Sequence, residues 1–175
     1  MEQIILFCDG SVNPQRKIGF GAYFIYNLKL INQNIKIKKF EETSSTKLEL
    51  EVLLWAFDDL KFEKDEILIY TDCQNILGLE KRREKLELND YHTSTGKIVK
   101  NHELYKKFYK RIDAINENTN CSFKKVKGHK KTKEKDEIDK LFNLVDKASR
   151  KALRNYLNKE RKKDEWRFLF EFERS

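Results

Sequence analysis

The sequence predicts an α/β domain built on a five-stranded mixed sheet, three strands antiparallel and two parallel, flanked by helices. Two observations carry this prediction. Short apolar and β-branched runs alternate with stretches of helical periodicity, in the order three strands, helix, strand, helices, strand, helix. Acids also stand where several of those runs meet a turn or open a helix, the edge at which open α/β sheets bind their ligands.

Gln3 to Cys8 is a short apolar run and predicts a buried first strand. Asn13 and Pro14 break the chain, and Gly19 to Tyr26, rich in aromatic and β-branched residues, predicts a second strand that turns at Asn27. Ile31, Ile35, Ile37 and Phe40 interleave with Asn and Lys, the pattern of an edge strand exposed on one face. From Thr46 to Leu60, the residues Leu50, Leu53, Leu54, Phe57 and Leu60 fall on one helical face. Glu66 to Thr71 is a compact fourth strand, followed by a helix that starts near Gln74. Lys81 to Thr95 is charged and has no periodicity that places it. Helical spacing returns at Leu104, Phe108, Ile112 and Ile115, and Cys121 to Val126 gives the fifth strand. Ile138, Leu141, Phe142, Val145, Ala148 and Ala152 mark a long closing helix over Glu134 to Tyr156.

A chain of 175 residues suits one domain with a full core. The division expected is a domain over 1–157 and a charged, aromatic extension over 158–175. Lys and Arg outnumber Asp and Glu by 37 to 29, a net charge of +8. The basic residues cluster at Lys81 to Lys85, Lys97 to Arg111 and Lys124 to Lys135, which favours a polyanionic partner, most plausibly nucleic acid. A solvated Lys/Glu surface produces similar runs, so the charge alone does not decide. Cys8, Cys73 and Cys121 are isolated, with no CxxC pair and no secretory leader ahead of them. They predict free thiols in a reducing cytoplasm and carry no assigned chemistry. No apolar run has the length needed to span a membrane, and no repeat or low-complexity segment is present.

Four acids, Asp9, Glu49, Asp72 and Asp146, carry the candidate chemistry. Asp9-Gly10 has the composition of a hairpin turn, but the next strand begins too far on for a two-residue loop. Thr46-Lys47-Leu48-Glu49 fits a capping box, and Asp72 fits the N-cap of the helix after the fourth strand. Singly these are ordinary structural roles. Their convergence on one sheet edge would make a cluster of hard oxygen ligands, suited to Mg²⁺ or Mn²⁺ rather than Zn²⁺. His129, in a basic stretch beyond the fifth strand, is either solvated or placed to handle protons over the metals.

Taken in order, these blocks resemble ribonuclease H of type 1. The likeness runs from about Ile4 to Leu153. It rests on Cys8-Asp9-Gly10-Ser11, Gly19-Phe20-Gly21-Ala22, Thr46-Lys47-Leu48-Glu49-Leu50, Thr71-Asp72-Cys73-Gln74, Val99-Lys100-Asn101-His102-Glu103-Leu104, Val126-Lys127-Gly128-His129 and Asn143-Leu144-Val145-Asp146-Lys147-Ala148. The resemblance implies the ribonuclease H-like fold and hydrolysis of the RNA strand of RNA/DNA hybrids, leaving 5′-phosphate and 3′-hydroxyl ends. It implies two Mg²⁺ ions, with Mn²⁺ as a substitute, held by Asp9, Glu49, Asp72 and Asp146 roughly 4 Å apart. It makes His129 the catalytic-loop histidine. Gly10, Ser11, Asn13, Ser45 and Gln74 match positions near the hybrid, where the 2′-hydroxyl is read by short polar groups. Lys97, Lys100, Lys106 and Lys107 fall where many relatives carry a basic protrusion that grips the DNA strand. Gln15 stands where the family often has Gly, and Ser45 where Asn is frequent. The segment from His129 to Asp146 is longer than in many relatives, and Asp139 lies on the same helical stripe as Asp146 and competes for its role.

Beyond Tyr156, Trp166, Phe168, Phe170 and Phe172 recur at every second residue, a strand signature. The expectation is an added strand on this domain's own edge or on the sheet of a protein partner or second copy. Two other functions stay open. One is a nuclease of the same fold acting on DNA or structured RNA, and the other is a hybrid-binding module without catalysis.

Overall fold

The computed structural model describes residues 3–26, 34–60, 66–126 and 136–172, with side chains as far as Glu165. Its strands β1 (Gln3–Asn13), β2 (Ile18–Tyr26), β3 (Lys36–Phe40), β4 (Glu66–Thr71) and β5 (Asn120–Lys125) form one sheet in the order β3-β2-β1-β4-β5. β1, β2 and β3 pair antiparallel, while β4 runs parallel to both β1 and β5. This is the mixed sheet that the sequence predicts. The described helices are α1 (Ser45–Asp59), α2 (Gln74–Leu77), α3 (Leu79–Leu88), α4 (His102–Asn116) and α5 (Glu137–Phe172).

Alternation along β1 divides its side chains between two cores. Ile4, Leu6 and Cys8 pack with Leu50, Leu53 and Phe57 of α1 and Phe108 of α4. Phe7 points the other way, to Phe24 of β2 and to Phe142 and Val145 of α5. The same alternation brings Asp9 out on the α5 side and Gly10 on the α1 side.

Gly10 and Gly21 face each other across the β1–β2 ladder, and Gly19 lies opposite Val12. Together they form a floor on which α1 rests. A Cβ at Gly10 would stand 2.8 Å from Leu48 Cδ2, one at Gly19 2.6 Å from the same atom, and one at Gly21 would overlap Val52 Cγ2. Leu48 and Val52 are fully buried. This close approach sets Glu49, the neighbour of Leu48, over β1.

The structure departs from the sequence prediction at four places. β1 runs past Cys8 to Asn13 because its polar second half still pairs with β2, and a four-residue turn, Pro14 to Lys17, closes the hairpin. α1 starts at Ser45 with Ser44 as its N-cap and no side-chain capping bond. Thr46 is therefore inside the helix, the capping box does not form, and Glu49 is free of that duty. The unplaced stretch Lys81 to Thr95 is mostly α3. That helix is almost entirely charged and buries only Leu79, so no apolar stripe marks it. It is fastened to α4 by Arg83, whose guanidinium bonds both oxygens of Asp113 at 2.5 and 2.7 Å, and by the Tyr109 hydroxyl, which donates to the Leu79 carbonyl at 2.8 Å.

The fourth departure is the tail. α5 continues through Trp166 to Phe172 as helix, which overturns the added strand and removes the ground for a partner docked through it. Extending an existing helix gains a hydrogen bond per residue, and no Gly or Pro between Leu157 and Glu165 stops it. α5 packs on β1, β2 and β3. Tyr156 meets Phe20 at 5.6 Å between ring centroids and lies under the Lys39 ammonium at 4.4 Å. Asn27 and Ile31, two of the residues used to place the third strand and its turn, lie outside the described residues.

Gly21→Ala is expected to destabilise the protein by about 1–3 kcal/mol through overpacking against Val52. Chemical denaturation reads the loss as a lower midpoint.

Candidate active site

The parallel pairing of β1 with β4 ends at Phe7 and Tyr70. Asp9 and Asp72 each stand two residues beyond that last pair, Asp9 inside β1, which runs on along β2 to Asn13, and Asp72 just past the end of β4. Asp72 is exposed. It does not cap α2, whose N-cap is Cys73. Glu49 enters from α1 beside Gly10, its Oε1 3.5 Å from where a Gly10 Cβ would lie. Asp146 enters from α5, on the other side of the sheet. Its Oδ1 is 2.6 Å from Nε of Arg150, one turn further on. The Ser149 hydroxyl, between them on the same helix, lies 2.9 Å from Asp9 Oδ2.

The electrostatics show how crowded this edge is. Asp9 is only 7% exposed. Burial pushes its carboxyl up to about 7, Asp72 and Asp146 add to the rise, and hydrogen bonds from Ser149 and the Gly10 N–H oppose it. Burial also carries Glu49 well above the ordinary carboxylate range, with Asp9 and Asp72 as the next causes. Glu49 Oε2 is buried without a hydrogen-bond partner. A buried carboxylate oxygen with no donor, among like charges, is satisfied by a proton or a cation. The donor set is all carboxylate, so the residues fit Mg²⁺ or Mn²⁺. Among the described residues no three of these groups are already spaced as a cation shell. Ser149 and Arg150 hold two of the four acids, and mutual repulsion opposes a closer approach.

Asp139, the rival to Asp146, has a structural task. The Asp136 N–H donates to Asp139 Oδ2 at 3.2 Å and the Asp139 N–H to Asp136 Oδ1 at 2.8 Å, a reciprocal cap at the start of α5. Of the two, it is Asp146 and not Asp139 that stands among the acids raising Asp9 and Glu49.

The other predicted positions spread around this edge. Ser11 is half-buried in β1. Asn13 Oδ1 accepts the Arg16 N–H at 2.9 Å, which commits its carbonyl oxygen to the hairpin turn. Ser45 and Gln74 are exposed first residues of α1 and α2. Lys97, Lys100 and Lys107 are exposed around the α3–α4 connection, whereas Lys106 lies 3.3 Å from Glu103 and 5.1 Å over the Tyr91 ring. His129 lies outside the described residues. Burial raises the thiols of Cys8 and Cys73 and pushes Cys121 up to about 12, which disfavours the thiolate at each. The residues that the sequence prediction lacks are Ser149 and Arg150. The available signal was a lone hydroxyl on the apolar stripe of Phe142, Val145 and Leu153.

A five-stranded mixed sheet in the order β3-β2-β1-β4-β5, with acids gathered where β1 and β4 stop pairing, defines the ribonuclease H-like class of α/β folds. The RNase H family model matches residues 1–147, and the chain belongs to that family. It is an enzyme of the endoribonuclease class. A ribonuclease H of Ruthia magnifica subsp. Calyptogena magnifica is 29% identical over 154 residues, covering 85% of this chain and 99% of that protein. One from Wolbachia pipientis wMel is 29% identical over 143 residues, covering 80% and 92%. One from Actinobacillus succinogenes is 28% identical over 141 residues, covering 80% and 87%.

A carboxyl with a raised native pKa keeps its proton where the unfolded chain has lost it. Native protein then binds more protons between about pH 4 and 7, and stability falls as pH rises through that window. In metal-free protein at pH 8, Asp9→Asn is expected to raise stability by about 2–4 kcal/mol. The gain should vanish toward pH 4 in denaturant titrations across this range.

Proposed function

We propose that this protein hydrolyses the RNA strand of RNA/DNA hybrids, using divalent cations held by Asp9, Glu49, Asp72 and Asp146. The observation that carries the reading is the buried, partnerless Glu49 Oε2 beside an Asp9 carboxyl raised by burial and by two neighbouring acids. Mg²⁺ or Mn²⁺, as a pair in this proposal, supplies Lewis acidity toward a phosphoryl oxygen and a water of lowered pKa. The chain's own groups prepare for that. Asp9 and Glu49 would hold the cation as carboxylates, and the Gly10 N–H favours the charged form of each. We assign proton transfer at the cleaved bond to His129, and the cleavage is proposed to leave 5′-phosphate and 3′-hydroxyl ends.

Substrate contact in this reading divides between two surfaces. Gly10, Ser11, Asn13, Ser45 and Gln74 are assigned to the RNA strand, where short polar groups and backbone amides would read the 2′-hydroxyl. The Asn13 amide NH₂ is the donor left to that residue once its oxygen serves the turn. Lys97, Lys100, Lys106 and Lys107 meet phosphates on a protrusion kept rigid by Arg83, Asp113 and Tyr109. No described helix is long and apolar enough to cross a membrane. Free cysteines accord with a cytoplasmic location, which we include in the proposal.

A strand-labelled RNA/DNA hybrid incubated with Mg²⁺ is the direct test. The RNA strand alone should be cut, EDTA should stop the reaction, and Asp9→Asn or Asp72→Asn should slow it by about 100-fold or more. Equal cleavage of duplex DNA or duplex RNA would replace the hybrid with another substrate, and tight binding without cleavage would make the chain a binding module. Asp146→Asn should lose activity, whereas Asp139→Ala should cost about 1 kcal/mol of stability through the cap and keep its rate. Lys97→Ala or Lys100→Ala should weaken hybrid binding without changing sequence preference. Each should lower the slope of log affinity against log salt by about 1.

A further inference from the structure

Ser149 is a fully buried polar side chain in the middle of α5. Serine in a helix interior ordinarily bonds back to a carbonyl of the preceding turn, and the Asp146 carbonyl is available to it at 3.0 Å. The same hydroxyl has a second acceptor, Asp9 Oδ2 on β1, at 2.9 Å. One hydroxyl carries one proton and can donate to only one of them at a time. A charged carboxylate is the stronger acceptor, so the proton goes to Asp9 whenever Asp9 is ionised. The backbone carbonyl can spare it because the helix already supplies a donor. The elements joined in this way are the strand that carries one acid of the cluster and the helix that carries another.

We propose that Ser149 is a positioning residue for the cation site, holding Asp9 Oδ2 so that the Asp9 carboxylate keeps one orientation beside Glu49 and Asp146. This rests on the reading of the four acids as cation ligands. Groups that hydrogen-bond a metal-ligating carboxylate fix its orientation and tune the site, and losing one weakens metal affinity about 10- to 100-fold. Ser149 touches no substrate, and its effect passes through Asp9. A serine that served only to fill space in α5 would affect stability and nothing else.

The test titrates Mn²⁺ alone into the full-length protein by calorimetry, without hybrid, for the wild type, Ser149→Ala and Ser149→Cys. The thiol of the second variant matches the serine in shape but is a poor donor, which keeps the test open if the alanine variant folds badly. Both variants should bind Mn²⁺ about tenfold more weakly. In cleavage assays, the metal concentration for half-maximal rate should rise by a similar factor while the KM for hybrid stays unchanged. Wild-type Mn²⁺ affinity in a folded variant would overturn the role of Ser149 and leave the four-acid site standing. A wild-type protein that neither binds Mn²⁺ nor cuts hybrid would overturn both.

Discussion

The structure turns on the repulsion among carboxylates at one half-buried sheet edge. Asp9 and Glu49 are driven upward in pKa by burial and by each other's neighbours, and Glu49 keeps an oxygen with no donor at all. A fold gains nothing in stability from such an arrangement, because each of these groups costs free energy when ionised without a counter-charge. Ser149 and Arg150 relieve part of it, one by a hydrogen bond to Asp9 and the other by an ion pair with Asp146. What they leave is the charge that the proposed divalent cation would balance, and acids with such perturbed ionisation mark a functional site more often than a structural one.

The rest of the fold exists to hold those acids in place. The three glycines on β1 and β2 let α1 sink onto the sheet until Leu48 and Val52 are fully buried, and Glu49 follows from their position. Parallel pairing of β1 with β4 sets Asp9 and Asp72 at matching depth. On the opposite face, Phe142 and Val145 anchor α5 against Phe7 and Phe24, which fixes where Asp146 and Ser149 fall. α3 is fastened to α4 by Arg83 and Tyr109, and α4 packs through Tyr105, Phe108 and Ile115 into the same core as α1.

Much of this was legible in the sequence, for reasons that particular residues make plain. Glu66 to Thr71 is bounded as predicted because a compact apolar run in the sheet interior has one way to be buried. β1 was seen only to Cys8, since its later residues are polar and owe their strand geometry to pairing with β2 rather than to burial. α3 was invisible because it has almost no buried face. The alternating aromatics from Trp166 to Phe172 carry a period-two signal, but they follow an established helix with nothing to end it, and the helix prevails. At the candidate site, the four proposed acids are nominated by their sequence blocks. The cap that engages Asp139 is visible only in its hydrogen bonds, and the contact of Ser149 with Asp9 depends on the approach of β1 to α5, which no local pattern encodes.

Calorimetric titration of Mg²⁺ into the wild-type protein at pH 7, in buffers of different ionisation enthalpy, tests the central claim most directly. If the cation replaces the proton on Asp9, whose carboxyl is raised to about 7, binding must release protons at pH 7, and the share from Asp9 must fall as pH rises above 7. Binding with no proton release at pH 7, or no binding at all, would contradict the account of this edge as a carboxylate site completed by metal.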